Sequence, residues 1–293
     1  MKSRIQVFQL IAILSLVFLT LISTNAQEIK RPPIWGIAKM TFLVSDFKLA
    51  RDYYGNFLGF SEAFNYNSPL GKVISFKVND RQFLEFVEDP KAKEKTRLVS
   101  VSFETDNVEQ MRQFLKNNGL KVPDAVSADG AGNEVILVRD ASGNPVEFIN
   151  MKQEGLHRKS KGKYLSDRRI STRMHHAGLY TSAVADNDPF YIGILKFNVM
   201  WRYPEDLNEK PFMVYLQIPE CAESIEHYTS PDPNFSHPCF LVNDMQETIY
   251  TLKERSGGTN LAKPIVGKGK RWLLNLSNAD KTKVEFTEAF TVR

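Results

Sequence analysis

Two histidines and two glutamates carry the chemistry that can be read from this 293-residue chain: His176, Glu226, His237 and Glu285. His176 and Glu226 lie 50 residues apart, and His237 and Glu285 lie 48 apart. Each histidine opens a strand-like run, and each glutamate sits in a strand-like run that closes a module. The order and spacing predict one divalent-metal site assembled from two copies of one structural unit. Neutral imidazole and carboxylate suit Fe²⁺, Mn²⁺, Ni²⁺, Co²⁺ or Zn²⁺, and two carboxylates neutralise a divalent ion. Four protein ligands on an octahedral ion leave adjacent positions for two neighbouring oxygens of a small-molecule substrate. The ion would act as a Lewis acid beside a carbonyl. A ligating carboxylate, Glu226 or Glu285, would move the proton as general base, and nothing in the sequence chooses between them. Glu226 is the ligand most sensitive to strand register, because Tyr215 or Gln217 on the preceding strand takes its place if the register slips.

The elements that must position these residues recur four times. Ile37–Val44 alternates as a strand, and Asp46 suits a helix N-cap. Leu49, Tyr53 and Phe57 then recur every four residues as an apolar helix face, and Gly59 follows as a stop. Strand-like runs follow at 72–78 and 82–87. The second unit has a strand at 98–103, then Asp106-Asn107 capping a helix that carries Val108, Met111, Phe114 and Leu115. Strands at 134–138 and 145–149 flank a turn-rich segment. The third unit opens at His176, with a helix over 186–195 and strands at 211–218 and 224–228. The fourth opens at His237, caps a helix at Asp244, and closes with strands at 271–276 and 283–288. Strand, helix and two or three strands thus make an α+β protein in two paired-unit domains, 34–152 and 174–293. Between them, residues 153–173 are dense in Lys and Arg and poor in apolar side chains, which predicts a solvated basic linker.

Residues 1–26 read as a leader rather than as part of the fold. Lys2 and Arg4 precede the apolar run 7–22, and Thr24-Asn25-Ala26 ends in a small residue suited to signal-peptidase cleavage. The expectation is a periplasmic or secreted protein with no stable membrane association once the leader is cleaved; an uncleaved anchor is the alternative. No Cys follows the apolar run, which argues against a lipoprotein. The formal charge is +4, or +2 without Lys2 and Arg4, too small to suggest a nucleic-acid partner. Cys221 and Cys239 are the only cysteines. They could pair in an exported protein, or Cys239 could be a buried free thiol beside the site, two residues after His237 on the same strand face. A monomer or homodimer is expected.

The pattern resembles the vicinal oxygen chelate superfamily, which includes glyoxalase I-like enzymes, extradiol dioxygenases, epimerases and antibiotic-resistance proteins. The resemblance is carried by Phe42-Leu-Val-Ser-Asp46, Tyr53-Tyr54 and Leu58-Gly-Phe60, by His176-Ala-Gly-Leu179 and His237-Pro-Cys-Phe-Leu-Val-Asn-Asp244, and by Pro145-Val-Glu-Phe148 and Lys283-Val-Glu-Phe286. It implies four βαβββ modules forming two domains with cup-shaped mixed sheets. The family's metal ligands lie on the first and last strands of each unit, and the match of His-x-Gly-Leu to the family pattern selects His176 over His175. Because neighbouring strand residues face opposite ways, His175 is expected to face outward and His227 to point away from Glu226. The matching N-terminal positions are Lys39, Glu85, Ser100 and Glu147. Lys39 and Ser100 lie 61 residues apart, as do His176 and His237. The resemblance therefore implies one metal site, in the C-terminal domain, and a degenerate N-terminal domain. There the Lys39 ammonium is expected to take the metal's electrostatic place between Glu85 and Glu147. Three activities remain open: a metal-dependent lyase or isomerase that transfers a proton on a substrate chelated through vicinal oxygens, an extradiol-type dioxygenase, and a non-catalytic small-ligand-binding protein.

Overall fold

The computed structural model describes residues 29–206, 208–257, 261–290 and 292; the leader lies outside the described residues. Sixteen strands form two eight-stranded mixed sheets, with few helices, in the α+β class expected. The first sheet comprises β1 (Gly36–Val44), β2 (Ser61–Ser68), β3 (Gly71–Lys77), β4 (Phe83–Glu88), β5 (Leu98–Glu104), β6 (Ser127–Ala128), β7 (Glu134–Arg139) and β8 (Pro145–Asn150). The second comprises β9 (Met174–Thr181), β10 (Asn198–Tyr203), β11 (Met213–Gln217), β12 (Ser224–Thr229), β13 (His237–Val242), β14 (Ile265–Val266), β15 (Trp272–Ser277) and β16 (Lys283–Glu288).

The two sheets share one topology. The first runs β2-β3-β4-β1-β5-β8-β7-β6 and the second β10-β11-β12-β9-β13-β16-β15-β14. The opening strands of the two modules pair antiparallel at the centre, and each is flanked by its own module's last strand in parallel. The strand after each helix, β2, β6, β10 or β14, lies at a sheet edge. β6 and β14 are short and exposed, and β10 is exposed to half-buried. An edge strand buries little on either face and loses the alternation that marks a strand in sequence.

Asp46, Asn107 and Asp244 cap their helices, each side chain accepting from a first-turn amide. The helical segments 47–57 and 184–194 widen into π-helix at the same place in their repeats, Arg51–Phe57 and Pro189–Ile194. Of the expected apolar face of the first helix, Tyr53 and Phe57 are half-buried against the core. Phe47, Ala50 and Tyr54 are buried, whereas Leu49 is exposed. Tyr54 and Tyr191 each reach the last hairpin of the other domain: Asn278 Nδ2 donates to the Tyr54 hydroxyl (3.3 Å), and the Tyr191 hydroxyl donates to Asp140 Oδ2 (3.2 Å). Around these contacts a single apolar core runs through both domains.

The basic segment 153–173 is anchored rather than wholly solvated. Its single helical turn, Leu156–Lys159, inserts His157 edge-on between the rings of Phe64 and Phe83. The Ser160 carbonyl also accepts from the buried Lys77 ammonium. Among the described residues no helix is long and apolar enough to cross a membrane.

Candidate metal centre

Four neighbouring strands, β12, β9, β13 and β16, each bring one side chain to a common point: Glu226, His176, His237 and Glu285. The register explains the convergence. Gly178 pairs with both Glu226 and His237, and Cys239 pairs with both His176 and Glu285. The four residues therefore occupy two adjacent rows of one sheet face. His176 Nε2 lies 3.8 Å from Glu226 Oε2 and 3.5 Å from Glu285 Oε1. His237 Nε2 lies 3.7 Å from Glu226 Oε2 and 3.8 Å from Glu285 Oε2. All four side chains are buried. Gly178 makes room for the cluster, because a Cβ there would stand 2.1 Å from His237 Cε1.

The donor set fits a cation. His237 Nδ1 contacts the Phe235 carbonyl at 2.8 Å. A carbonyl only accepts, so the proton sits on Nδ1 and the Nε2 lone pair faces the carboxylates. Glu226 Oε2, His237 Nε2 and Glu285 Oε1 are buried without a hydrogen-bond partner among the described residues. Buried acceptors left to face one another are costly, and a cation at their centre would satisfy all three at once. Burial, then the Lys283 charge, holds His237 well below the ordinary imidazole range, so it stays neutral. Burial and the facing Glu285 push Glu226 up. Glu285 is held below its ordinary range despite burial, because Lys283 Nζ stands 3.1 Å from Oε2 and the two histidines add to the effect.

Other side chains complete the site. Tyr215 pairs across the sheet with Glu226, and its hydroxyl lies 3.5 Å from His176 Nε2. It therefore stands beside Glu226 rather than in its place. The ring stacks on Trp201 at 4.9 Å. Cys239 is a fully buried free thiol, and Cys221 is also free. Burial, then Glu285, pushes the Cys239 thiol up, so it is neutral. A cavity of about 230 Å³ opens onto His176 and Glu226, walled by Trp201, Met213, Arg271 and Leu273. His227 faces the opposite side, in the core against the Tyr191 ring, and burial lowers it to about 3. Tyr228 stacks on Phe235 at 4.8 Å, and neither Tyr228 nor Tyr180 lines the cavity.

His175 departs from the expectation that it faces outward. Its Nδ1 lies 3.0 Å from His176 Nδ1, and its ring lines the cavity. A β-bulge is the reason: Cys239 pairs with His176 and Phe240 with Met174, so His175 is the extra residue, and bulges re-aim side chains. Strand alternation alone cannot show a bulge. Lys283 could have been found, because it precedes Glu285 by two residues and must share its face. Trp201 and Arg271 carried no comparable signal, lying on an edge strand and at the start of another.

The N-terminal domain holds the equivalent positions in the same register, with Thr41 paired to both Glu85 and Ser100, and Ser102 paired to Glu147. Here an ammonium stands between the carboxylates. Lys39 Nζ lies 2.9 Å from Glu85 Oε2, 3.4 Å from Glu147 Oε1 and 3.9 Å from Asp129 Oδ2. Tyr66 donates to Glu85 Oε2 at 2.6 Å, and His157 Nε2 meets Oε1 at 3.0 Å. Against burial, Glu147 and Glu85 hold the Lys39 ammonium well above its ordinary range. Ser100 touches neither carboxylate; its hydroxyl lies 3.5 Å from that of Ser102, which donates to Glu147. Tyr66, Asp129 and His157 were not legible as site residues, because they come from an edge strand, a loop and the basic connector.

Comparison with known proteins agrees with this architecture. Residues 36–148 match the model of the Glyoxalase/Bleomycin resistance protein/Dioxygenase superfamily. Solved structures of similar fold include the 2,3-dioxygenase LapB from Pseudomonas sp. KL28 (TM-score 0.67, 14% identity, covering 89% of this chain and 94% of that one). Homoprotocatechuate 2,3-dioxygenase from Arthrobacter globiformis is another (TM-score 0.67, 16% identity, 90% and 84% covered). A third is an extradiol ring-cleaving dioxygenase from B. fuscum (TM-score 0.66, 16% identity, 88% and 73% covered). No curated protein matches the sequence. Residues 36–148 thus match the glyoxalase/bleomycin resistance protein/dioxygenase superfamily by sequence, and the C-terminal half, which carries the His176–Glu226–His237–Glu285 cluster, repeats the fold of the matched half.

Proposed function

We propose that the chain is a metal-dependent enzyme that transfers a proton on a small substrate bearing neighbouring oxygens, a lyase or isomerase. One observation carries this reading: Glu226 joins two histidines and Glu285 as a fourth inward donor, with its Oε2 buried and without a hydrogen-bond partner among the described residues. His176, Glu226, His237 and Glu285 would hold the ion, which when bound supplies Lewis acidity toward substrate oxygens. Of the two carboxylates, Glu226 lines the cavity, whereas Glu285 is engaged by Lys283. Glu226 Oε2 is therefore the group that takes and returns the proton, and Glu285 remains the anionic anchor. The apolar walls around Trp201 and Tyr215 exclude water from that proton. The basic, apolar and small-residue leader supports export.

An extradiol-type dioxygenase is the second reading, favoured by the fold shared with proteins of that activity. Metal analysis of native protein and His176→Ala is the first test, with loss of one bound divalent ion in the variant expected. The loaded protein is then offered 2-hydroxycarbonyl compounds in deuterated water. Deuterium incorporation at the carbon beside the carbonyl is expected, and oxygen uptake with catechols in its place would overturn proton transfer. A native protein that binds no divalent ion would overturn both enzyme readings.

A further inference from the structure

We propose that the cavity takes a substrate with a carboxylate on a planar apolar body, that Arg271 binds the carboxylate, and that His175 frees Arg271 for this role when the metal site is filled. The inference rests on the metal reading above.

The argument begins with the bulge. In the first domain Ile37 pairs with Phe103 and Lys39 with Ser102, so Ala38 is the extra residue at the position His175 holds in the second. The bulge therefore belongs to the fold, and only the half with the two inward histidines places an imidazole on it. His175 uses both ring nitrogens. Arg271 Nη1 stands 3.1 Å from His175 Nε2, and His175 Nδ1 stands 3.0 Å from His176 Nδ1.

A guanidinium can only donate. His175 Nε2 therefore accepts, its proton sits on Nδ1, and that proton is donated to His176 Nδ1. The His176 proton must then sit on Nε2, which faces the Tyr215 hydroxyl at 3.5 Å, Glu285 Oε1 at 3.5 Å and Glu226 Oε2 at 3.8 Å. A metal needs the lone pair at that nitrogen. To offer it, His176 must carry its proton on Nδ1 and donate to His175 Nδ1. His175 then carries its own proton on Nε2, facing the arginine. Two donors cannot share that contact, so a filled metal site and the Arg271–His175 bond exclude each other. The exchange shifts protons between ring nitrogens and needs none added or removed.

Once displaced, Arg271 is a cation in the wall of a cavity whose other walls include Trp201, Met213 and Leu273; the cavity's lysine, Lys268, has its ammonium over the Tyr203 ring at 4.9 Å. The two glutamates neutralise a divalent ion, so Arg271 is left without an anion in the site. An aromatic carboxylate meets both the charge and the planar apolar wall.

The test is calorimetric titration of benzoate and of its neutral isostere benzamide into the mature protein, with and without Mn²⁺. Benzoate is expected to bind the Mn²⁺-loaded protein about tenfold tighter than the metal-free protein, and Mn²⁺ affinity to rise by the same factor in benzoate, because coupling is reciprocal. Arg271→Gln should remove most of the preference for benzoate over benzamide, and Lys268→Gln should leave it. His175→Phe should keep that preference and lose most of its dependence on Mn²⁺. Equal affinities of native protein for benzoate and benzamide would overturn the carboxylate assignment, whatever the metal does. Mn²⁺ binding with no effect on benzoate, or full coupling in His175→Phe, would overturn the relay and leave the metal site standing. Failure of native protein to bind Mn²⁺ would overturn the metal reading and the relay together.

Discussion

Replacing Lys39 by methionine isolates what the buried ammonium does in the N-terminal domain. The side chain keeps its unbranched shape as far as Cε and loses the ammonium, so the variant strands Glu85, which is fully buried. Removing one partner of a buried pair costs about 3–5 kcal/mol. Glu85 keeps donors from Tyr66 at 2.6 Å and His157 at 3.0 Å, which places the loss near the lower end, about 3 kcal/mol. For a chain of this size that is a fall of roughly 6–12 °C in melting temperature, read by differential scanning calorimetry. The pH dependence has a definite sign. In the native protein burial raises Glu85, but Lys39, then His157 and Tyr66, outweigh it and hold the carboxyl below its ordinary range. Its contribution is present above the unfolded value of about 4.3 and lost as pH falls through the folded one. Without Lys39, burial acts against fewer opponents and the Glu85 carboxyl takes up a proton more readily. The deficit of the variant is therefore greatest above about pH 5 and shrinks in acid. Lys39→Met combined with Glu85→Gln removes both charges and should recover most of the loss, with bound metal unchanged in both variants. A single variant within about 2 °C of native, or a double variant no better than the single, would refute the idea that this ammonium holds the carboxylates together.

Two further outcomes test the C-terminal site. Gly178→Ala drives a Cβ to 2.1 Å from His237 Cε1; it should cost about 1–3 kcal/mol and sharply weaken metal uptake, so full uptake by metal analysis would show that His237 is not positioned by this contact. Cys239→Ser should leave metal content unchanged, since burial, then Glu285, keeps the thiol neutral. The residues could also group as His176, Cys239 and Glu285, and loss of metal in that variant would favour this trio over one containing Glu226.

The repeat was legible because the two modules of each domain open at the same separation and each closes on a strand with an inward glutamate 46 to 50 residues later. Lys39 and Ser100, like His176 and His237, lie 61 residues apart, and the sheet sets both pairs in one diagonal register, Lys39 opposite Ser102 and His176 opposite Cys239. Glu85 and Glu226, and Glu147 and Glu285, then fall on equivalent closing strands although the loops before them differ in length. The residues that escaped notice sit where periodicity fails. His175 occupies a bulge, and Trp201 and Tyr66 lie on edge strands. His157 is a buried imidazole in a segment whose composition reads as solvated, because one helical turn folds it under the sheet. On the first helix Tyr53 and Phe57 pack against the core as the four-residue spacing requires, and of that face Leu49 lies exposed.

The two halves of the chain pose one electrostatic problem and answer it differently. Each sheet buries a pair of facing carboxylates, which an apolar interior cannot tolerate without compensating charge. In the first half Lys39 rises from the central strand into the middle of the group and contacts both. In the second half the residue at that position is His176, which brings no fixed positive charge, and burial keeps His237 neutral. The nearby cation is Lys283, which approaches from the rim and contacts Glu285 Oε2 alone, leaving Glu285 Oε1 and Glu226 Oε2 without partners among the described residues. One ammonium at the edge cannot do for this pair what one at the centre does for the other. A divalent cation at the convergence of the four side chains would restore the balance. It would also explain why the substitution of lysine by histidine coincides with an open position across the sheet, where Gly178 stands in place of Thr41 and admits the second imidazole.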